Sequence, residues 1–79
     1  MAQMRVKLLY KDNLVKRPVV FELAKVFDVS ANIRRASVED SIGWIVCELD
    51  GENANLESAL GWLEEIGVEV ERLQDVVEG

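Results

Sequence analysis

Gly43-Trp44-Ile45-Val46-Cys47-Glu48-Leu49-Asp50-Gly51 is the stretch that decides the fold. Glycines bracket it, Ile45 and Val46 are β-branched, and apolar side chains fall at both parities. Ile45, Cys47 and Leu49 point one way; Trp44 and Val46 point the other. A strand with one wet face shows polar residues at one parity. This stretch therefore reads as a central strand with both faces at least partly covered. In so short a chain, helices can shield only one of them.

Working outward, Met4 to Lys11 alternates, with Val6, Leu8 and Tyr10 on one side and Arg5, Lys7 and Leu9 on the other. This is a first strand, and Tyr10 belongs to its helix-facing side. A loop over residues 12–17 leads to Pro18 at a first helical position, where its missing N–H costs nothing. Val20, Leu23, Ala24 and Phe27 recur at helical spacing, predicting a helix from Pro18 to Phe27. After a turn, Asn32 to Val38 reads as a second strand interrupted by Arg34 and Arg35. On the other side of the central stretch, Asn53 is the expected cap of a second helix. Leu56, Ala59, Leu60, Leu63 and Ile66 form its apolar stripe, and Gly67 sits where a left-handed C-terminal cap belongs. Gly61 inside this helix costs about 1 kcal/mol relative to Ala, which predicts close helix–sheet contact there. Val68 to Glu71 alternates as a last strand whose outward carboxylates deter edge pairing. Residues 74–79 read as a tail.

The order is β-α-β-β-α-β. Right-handed crossovers place both helices on one face of a four-stranded antiparallel sheet, a ferredoxin-like α+β sandwich with strands one and three central. The other face then shows Trp44 and Val46 beside Leu9. Soluble monomers rarely leave such an apolar patch uncovered, which predicts a partner or ligand there.

Seventy-nine residues make one domain, with a core over about 4–73. A chain of this size buries roughly 60–65% of the surface its unfolded form exposes and gains much from association. No apolar run approaches the ~18 residues that span a bilayer, so no membrane insertion is expected. A lone Cys47 on a core strand fits a cytoplasmic setting. Residues 1–35 carry eight basic and three acidic side chains, whereas residues 36–79 carry one basic and twelve acidic ones, within a net charge of −6. The acidic total argues against non-specific nucleic-acid binding. RNA-recognition domains share this topology but stack bases on several aromatics of the central strands in a basic surround, and Trp44 stands alone here.

The sequence has no histidine, which removes the commonest general base and every Ser-His arrangement. One cysteine without histidine gives no ordinary zinc, haem or iron–sulfur ligand set, and no cofactor is expected. Asp50 to Asn55 is a poor calcium loop, because Ala54 stands where a ligand is needed. Glu64 and Glu65 read as a solvated helix face. No Gly-rich phosphate loop follows the first strand. These absences together point to a non-enzyme.

The ordered motifs resemble the NIL domain family, known at the C-terminus of the ATP-binding subunits of methionine-type ABC importers and also attached to small iron–sulfur proteins. The resemblance covers about residues 5–73. It rests on Arg17-Pro18-Val19, on Asn32-Ile33-Arg34, on Gly43 to Gly51 with its Glu48-Leu49-x-Gly51 ending, and on Ala59-Leu60-x-Trp62-Leu63-Glu64 leading to Gly67-Val68-Glu69-Val70. The resemblance implies an ACT-like domain that pairs with a copy of itself and binds methionine near the interface. Asn32 matches the family's ligand-site asparagine. Arg34 stands where the family has leucine, which implies a more polar site, and the chain reads as a stand-alone domain without the importer ATPase or a cysteine cluster.

The candidate ligand-binding residues are Asn32, Ile33, Arg34, Trp44 and Val46. Asn32 donates and accepts hydrogen bonds, Arg34 suits a carboxylate, and Trp44 with Val46 suits an apolar side chain. The structural alternative is that Asn32 satisfies a turn at the start of its strand, Arg34 and Arg35 guard an edge, and Trp44 packs in a dimer. Two functions follow: a homodimeric sensor of an amino acid, methionine-like, or an interaction module that docks an unidentified protein on the open sheet face.

Overall fold

The computed structural model describes residues 2–78, with side chains described as far as Leu73. The order is β1 (Ala2–Lys11), a 3-10 turn over Asp12–Lys16, α1 (Val19–Phe27), β2 (Ser30–Val38), β3 (Ile42–Gly51), α2 (Asn53–Glu65) and β4 (Glu69–Glu78). The sheet is antiparallel with strand order β2-β3-β1-β4. Strands one and three are central, as the two-sided apolar pattern of residues 43–51 predicts. The architecture is the ferredoxin-like α+β sandwich.

Alternation sets the core. Ala2, Met4, Val6, Leu8 and Tyr10 are buried along β1, and Cys47 and Leu49 along β3. Val19 and Leu23 from α1 and Leu56, Ala59, Leu60 and Leu63 from α2 close over them. Gly43 is fixed by close approach: a Cβ there would stand 2.8 Å from a carbon of the Tyr10 ring. The hydroxyl-bearing ring of Tyr10 thus lies across the strand at a position only glycine leaves free.

Helix ends explain most boundaries. Pro18 sits one position earlier than expected, capping α1 rather than opening it, and its carbonyl accepts the Glu22 N–H at 3.0 Å. Asp28 ends α1 in the left-handed conformation at φ 55°, which Asp tolerates better than most residues. At the end of α2, Gly67 takes φ 102°, its N–H donates to Glu64 and the Val68 N–H to Leu63. This paired arrangement is the Schellman cap, and it brings Val68 back onto the core beside Leu63.

Three expectations need correction. Asn53 does not cap α2: the helix begins one residue earlier, with Glu52 in the extended capping position and Asn53 already in the first turn. Gly61 makes no close helix–sheet contact, since a Cβ there would meet nothing within 4 Å. Position 61 falls outside the stripe formed by residues 56, 59, 60 and 63, so it faces water. The backbone expected as a tail from Gln74 instead continues β4 to Glu78, opposite Ala2 of a first strand that itself starts earlier than predicted. Gly79 lies outside the described residues.

Candidate ligand site

Register builds the open face in rows. Across β2, β3 and β1, the first row is Asn32–Glu48–Arg5, the second Arg35–Val46–Lys7 and the third Ser37–Trp44–Leu9. Each row runs perpendicular to the strands, and successive rows are about 7 Å apart, two strand residues. The face therefore grades from an ionic end to an apolar end.

At the ionic end, Arg5 Nη2 donates to Glu48 Oε2 at 2.7 Å, and Arg34 Nη1 stands 3.7 Å from Glu48 Oε1. The hydrogen bond from Arg5 and the field of Arg34 hold the Glu48 carboxyl below the ordinary glutamate range. Arg5 Nε is buried and has no hydrogen-bond partner among the described residues. Arg34 reaches Glu48 because β2 bulges there: the pairing with β3 shifts between Ile33 and Arg35, leaving Arg34 as the extra residue. Arg35 makes no ion pair among the described residues.

At the apolar end, Trp44 and Val46 are half-buried. Lys7 Nζ stands 5.3 Å from the centroid of the Trp44 ring, a cation–π contact that caps part of the indole. Ile42, at the lip of the same face, is 37% exposed. The patch is thus smaller than the sequence suggests, because a lysine from the neighbouring strand folds over it.

Of the five candidate residues, Asn32, Arg34, Trp44 and Val46 share this face. Ile33 does not: it lies on the helix side of β2 and is 51% exposed. The four form a shelf across β2 and β3 rather than a cavity. A half-open groove of about 200 Å³ lies farther along the sheet, lined by Lys7, Leu9, Glu69, Val70 and Glu71, and contains none of them.

Sequence reasoning missed Arg5, Glu48 and Arg35. The signal was present, since Arg5 and Glu48 each sit at the outward parity of a central strand. A charge at such a position calls for an opposite charge on the neighbouring strand. Other motif residues prove structural. Arg17 makes two hydrogen bonds to Glu22, at 2.8 and 2.9 Å, and its guanidinium lies 5.6 Å from the Trp62 ring, which in turn packs against Phe27 at 5.7 Å. They tie the start of α1 to α2. Cys47 is fully buried, and burial pushes its thiol up to about 11. Among the described residues no group of three or more metal-ligating side chains gathers, and no helix is long and apolar enough to cross a membrane.

The NIL domain family model matches residues 4–72. No curated protein gives a significant match. Among solved structures, the C-terminal domain of an ABC transporter ATP-binding protein from Enterococcus faecalis is similar at TM-score 0.76 and 22% identity, covering 91% of this chain and 84% of that one. The ACT domain of a GTP pyrophosphokinase from Chlorobium tepidum is similar at TM-score 0.63 and 21% identity, with 90% and 96% covered. The de novo designed protein Foldit4 is similar at TM-score 0.61 and 12% identity, with 99% and 97% covered. Likeness at these identities shows the fold alone, and a designed protein in the set makes that plain.

Proposed function

The chain belongs to the NIL domain family, and from that premise we propose that it is a small non-catalytic regulatory domain that senses an amino acid on the β2–β3 shelf, closed by a second copy of the chain. The carrying observation is the row order of the open face: Asn32, Arg34 and Glu48 meet at one end, and Val46 and Trp44 follow on the same face. A free amino acid needs a donor set for its carboxylate, an acceptor for its ammonium and an apolar floor for its side chain. Arg34 and Asn32 supply the first and Glu48 the second, while Val46, about 7 Å along the strand, begins the third. An extended side chain of three or four heavy atoms, such as that of methionine, spans that interval. The shelf is flat, and ligand sites bury most of their ligand. A second subunit would supply the missing wall.

Titration calorimetry against a panel of amino acids tests this. Saturable heat that vanishes in Asn32→Ala supports the sensor. Silence across the panel, with self-association intact, refutes it and leaves a module that docks a protein on Leu9, Ile42, Trp44 and Val46.

A further inference from the structure

Gly61 stands in the interior of α2, faces water and lowers helix propensity, yet nothing inside the fold requires it. On the neighbouring helix, Phe21 is 68% exposed, the most of any large apolar side chain among the described residues. Phe21 and Lys25, one turn apart on α1, lie opposite the buried Val19 and Leu23. Gly61 and Glu65, one turn apart on α2, lie opposite the buried Leu56 and Leu63. The outer surface of the helical layer therefore carries a projecting ring on one helix and a gap on the other. It is also divided in charge. Residues 16–27 hold three basic side chains and one acidic one, Glu22, which is bonded to Arg17. α2 holds Glu57, Glu64 and Glu65 and no basic residue. Lys16, Lys25, Glu64 and Glu65 make no ion pair among the described residues.

The topology fixes how these features would meet in a second copy. β1 and β3 are antiparallel and each helix runs back against the strand before it, so α1 and α2 are antiparallel neighbours. Two such layers can meet face to face about a two-fold axis lying in the plane of contact. An axis across the helices lays α1 on α1 and α2 on α2, which sets the carboxylates of α2 against themselves. An axis along the helices lays α1 of each copy on α2 of the other and sets opposite charges together. Rotation about that axis also preserves height along it. Arg17 and Phe27, near the two ends of α1, stand 5.6 and 5.7 Å from the Trp62 ring, so the middle of α1 is level with Trp62 and with Gly61 beside it. Phe21 of each copy is thereby carried over the partner's Gly61. One turn away in opposite directions, Lys16 and Arg17 approach the partner's Glu65, and Lys25 approaches the partner's Glu57, which Arg72 already shares.

We propose that two copies associate through their helical layers about the axis along the helices, with Phe21 of each seated in the gap over Gly61 of the other. Glycine at position 61 then has a physical reason: a side chain there would hold the facing ring off the helix backbone. α2 is about 20 Å long and two helices side by side span about the same width, so each copy contributes on the order of 400 Å². That is about half the share of a standard interface, so the association is weak and belongs to high local concentration. The surface lies on the far side of the sheet from the β2–β3 shelf. It is independent of the sensor reading and leaves the shelf open to its ligand.

Sedimentation equilibrium of the full chain is the test, at concentrations up to roughly 1 mM to reach the affinity of so small an interface. Gly61→Gln should weaken association roughly tenfold, the size of one central contact, and Phe21→Gln should do the same. In urea unfolding at micromolar concentration Gly61→Gln should be more stable than wild type, because glutamine is the better helix former, so its lost association is not lost folding. Raising salt should weaken the wild-type contact, since its charged pairs lie at an exposed rim. An equal mixture of the Phe21→Gln and Gly61→Gln proteins should associate more tightly than either alone, because their mixed pair keeps one intact Phe21–Gly61 contact. Association of Gly61→Gln equal to that of wild type overturns the proposal, as does a mixture no tighter than its components. Asn32→Ala, the variant that tests the sensor, should leave the contact unchanged. Association lost in Asn32→Ala but kept in Gly61→Gln would place the whole of it at the shelf, sinking the helical contact while the sensor reading stands. Calorimetric silence across the amino-acid panel alongside a Gly61-dependent dimer would do the reverse.

Discussion

Gly43→Ala probes the register on which the whole open face depends. Tyr10 opposes Gly43 in the β1–β3 ladder and is 5% exposed, and the new methyl would stand 2.8 Å and 3.0 Å from two of its ring carbons. Ordinary carbon–carbon contact is about 3.5–4.0 Å, so the ring must retreat by most of an ångström within a packed core. Overpacking of this kind costs about 1–3 kcal/mol. Loss of backbone freedom in the unfolded chain returns about 0.4–1 kcal/mol, because the strand conformation suits alanine. The net is about 1–2 kcal/mol of destabilisation, which lowers Tm by roughly 4–16 °C for a domain of this size. Urea unfolding of wild type, Gly43→Ala, Tyr10→Leu and the double variant gives the coupling. With the ring gone, Gly43→Ala should be neutral or slightly stabilising, so the pair should be non-additive by about 1–3 kcal/mol. Additivity within about 0.5 kcal/mol would refute the contact. It would also unseat the site, because a one-residue slip turns Trp44 and Glu48 into the core.

Three further outcomes follow from the same structure. Cys47, buried and with its thiol pushed up to about 11, should resist iodoacetamide at pH 8 and react promptly once urea unfolds the chain, as mass spectrometry would read. Gly61→Ala should stabilise the protein by about 0.5–1 kcal/mol in urea unfolding, since the methyl meets nothing and the helix gains propensity; a loss of stability would show that α2 packs differently there. Glu48 and Glu22 both titrate below the ordinary glutamate range because arginines bond to them, so the stability they add is present above that range and lost as pH falls through their depressed values. Glu48→Gln should therefore be less stable than wild type near neutrality and flatten part of the acid limb of a stability-against-pH curve, with the Glu22 share left in place.

The fold was legible because its decisive signals are local. Parity along residues 43–51 identified a central strand, the 3.6 spacing of Leu56, Leu60 and Leu63 placed α2, and Gly67 announced a left-handed cap that the structure forms. The site was half legible for a reason of the same kind. Parity assigns a residue to a face but does not say which neighbour it meets, so Trp44 and Val46 could be placed on the open side while the Arg5–Glu48–Arg34 cluster, which joins three strands, could not. The bulge at Arg34 was less legible still. Two consecutive arginines look like a break in alternation, and the reading that they merely guard an edge follows naturally from a regular strand. Once the extra residue is counted out, Ile33, Ala36 and Val38 fall on one face and Asn32, Arg35 and Ser37 on the other. Ile33, grouped by sequence with Asn32 and Arg34 as a ligand neighbour, is by this parity a helix-side residue instead.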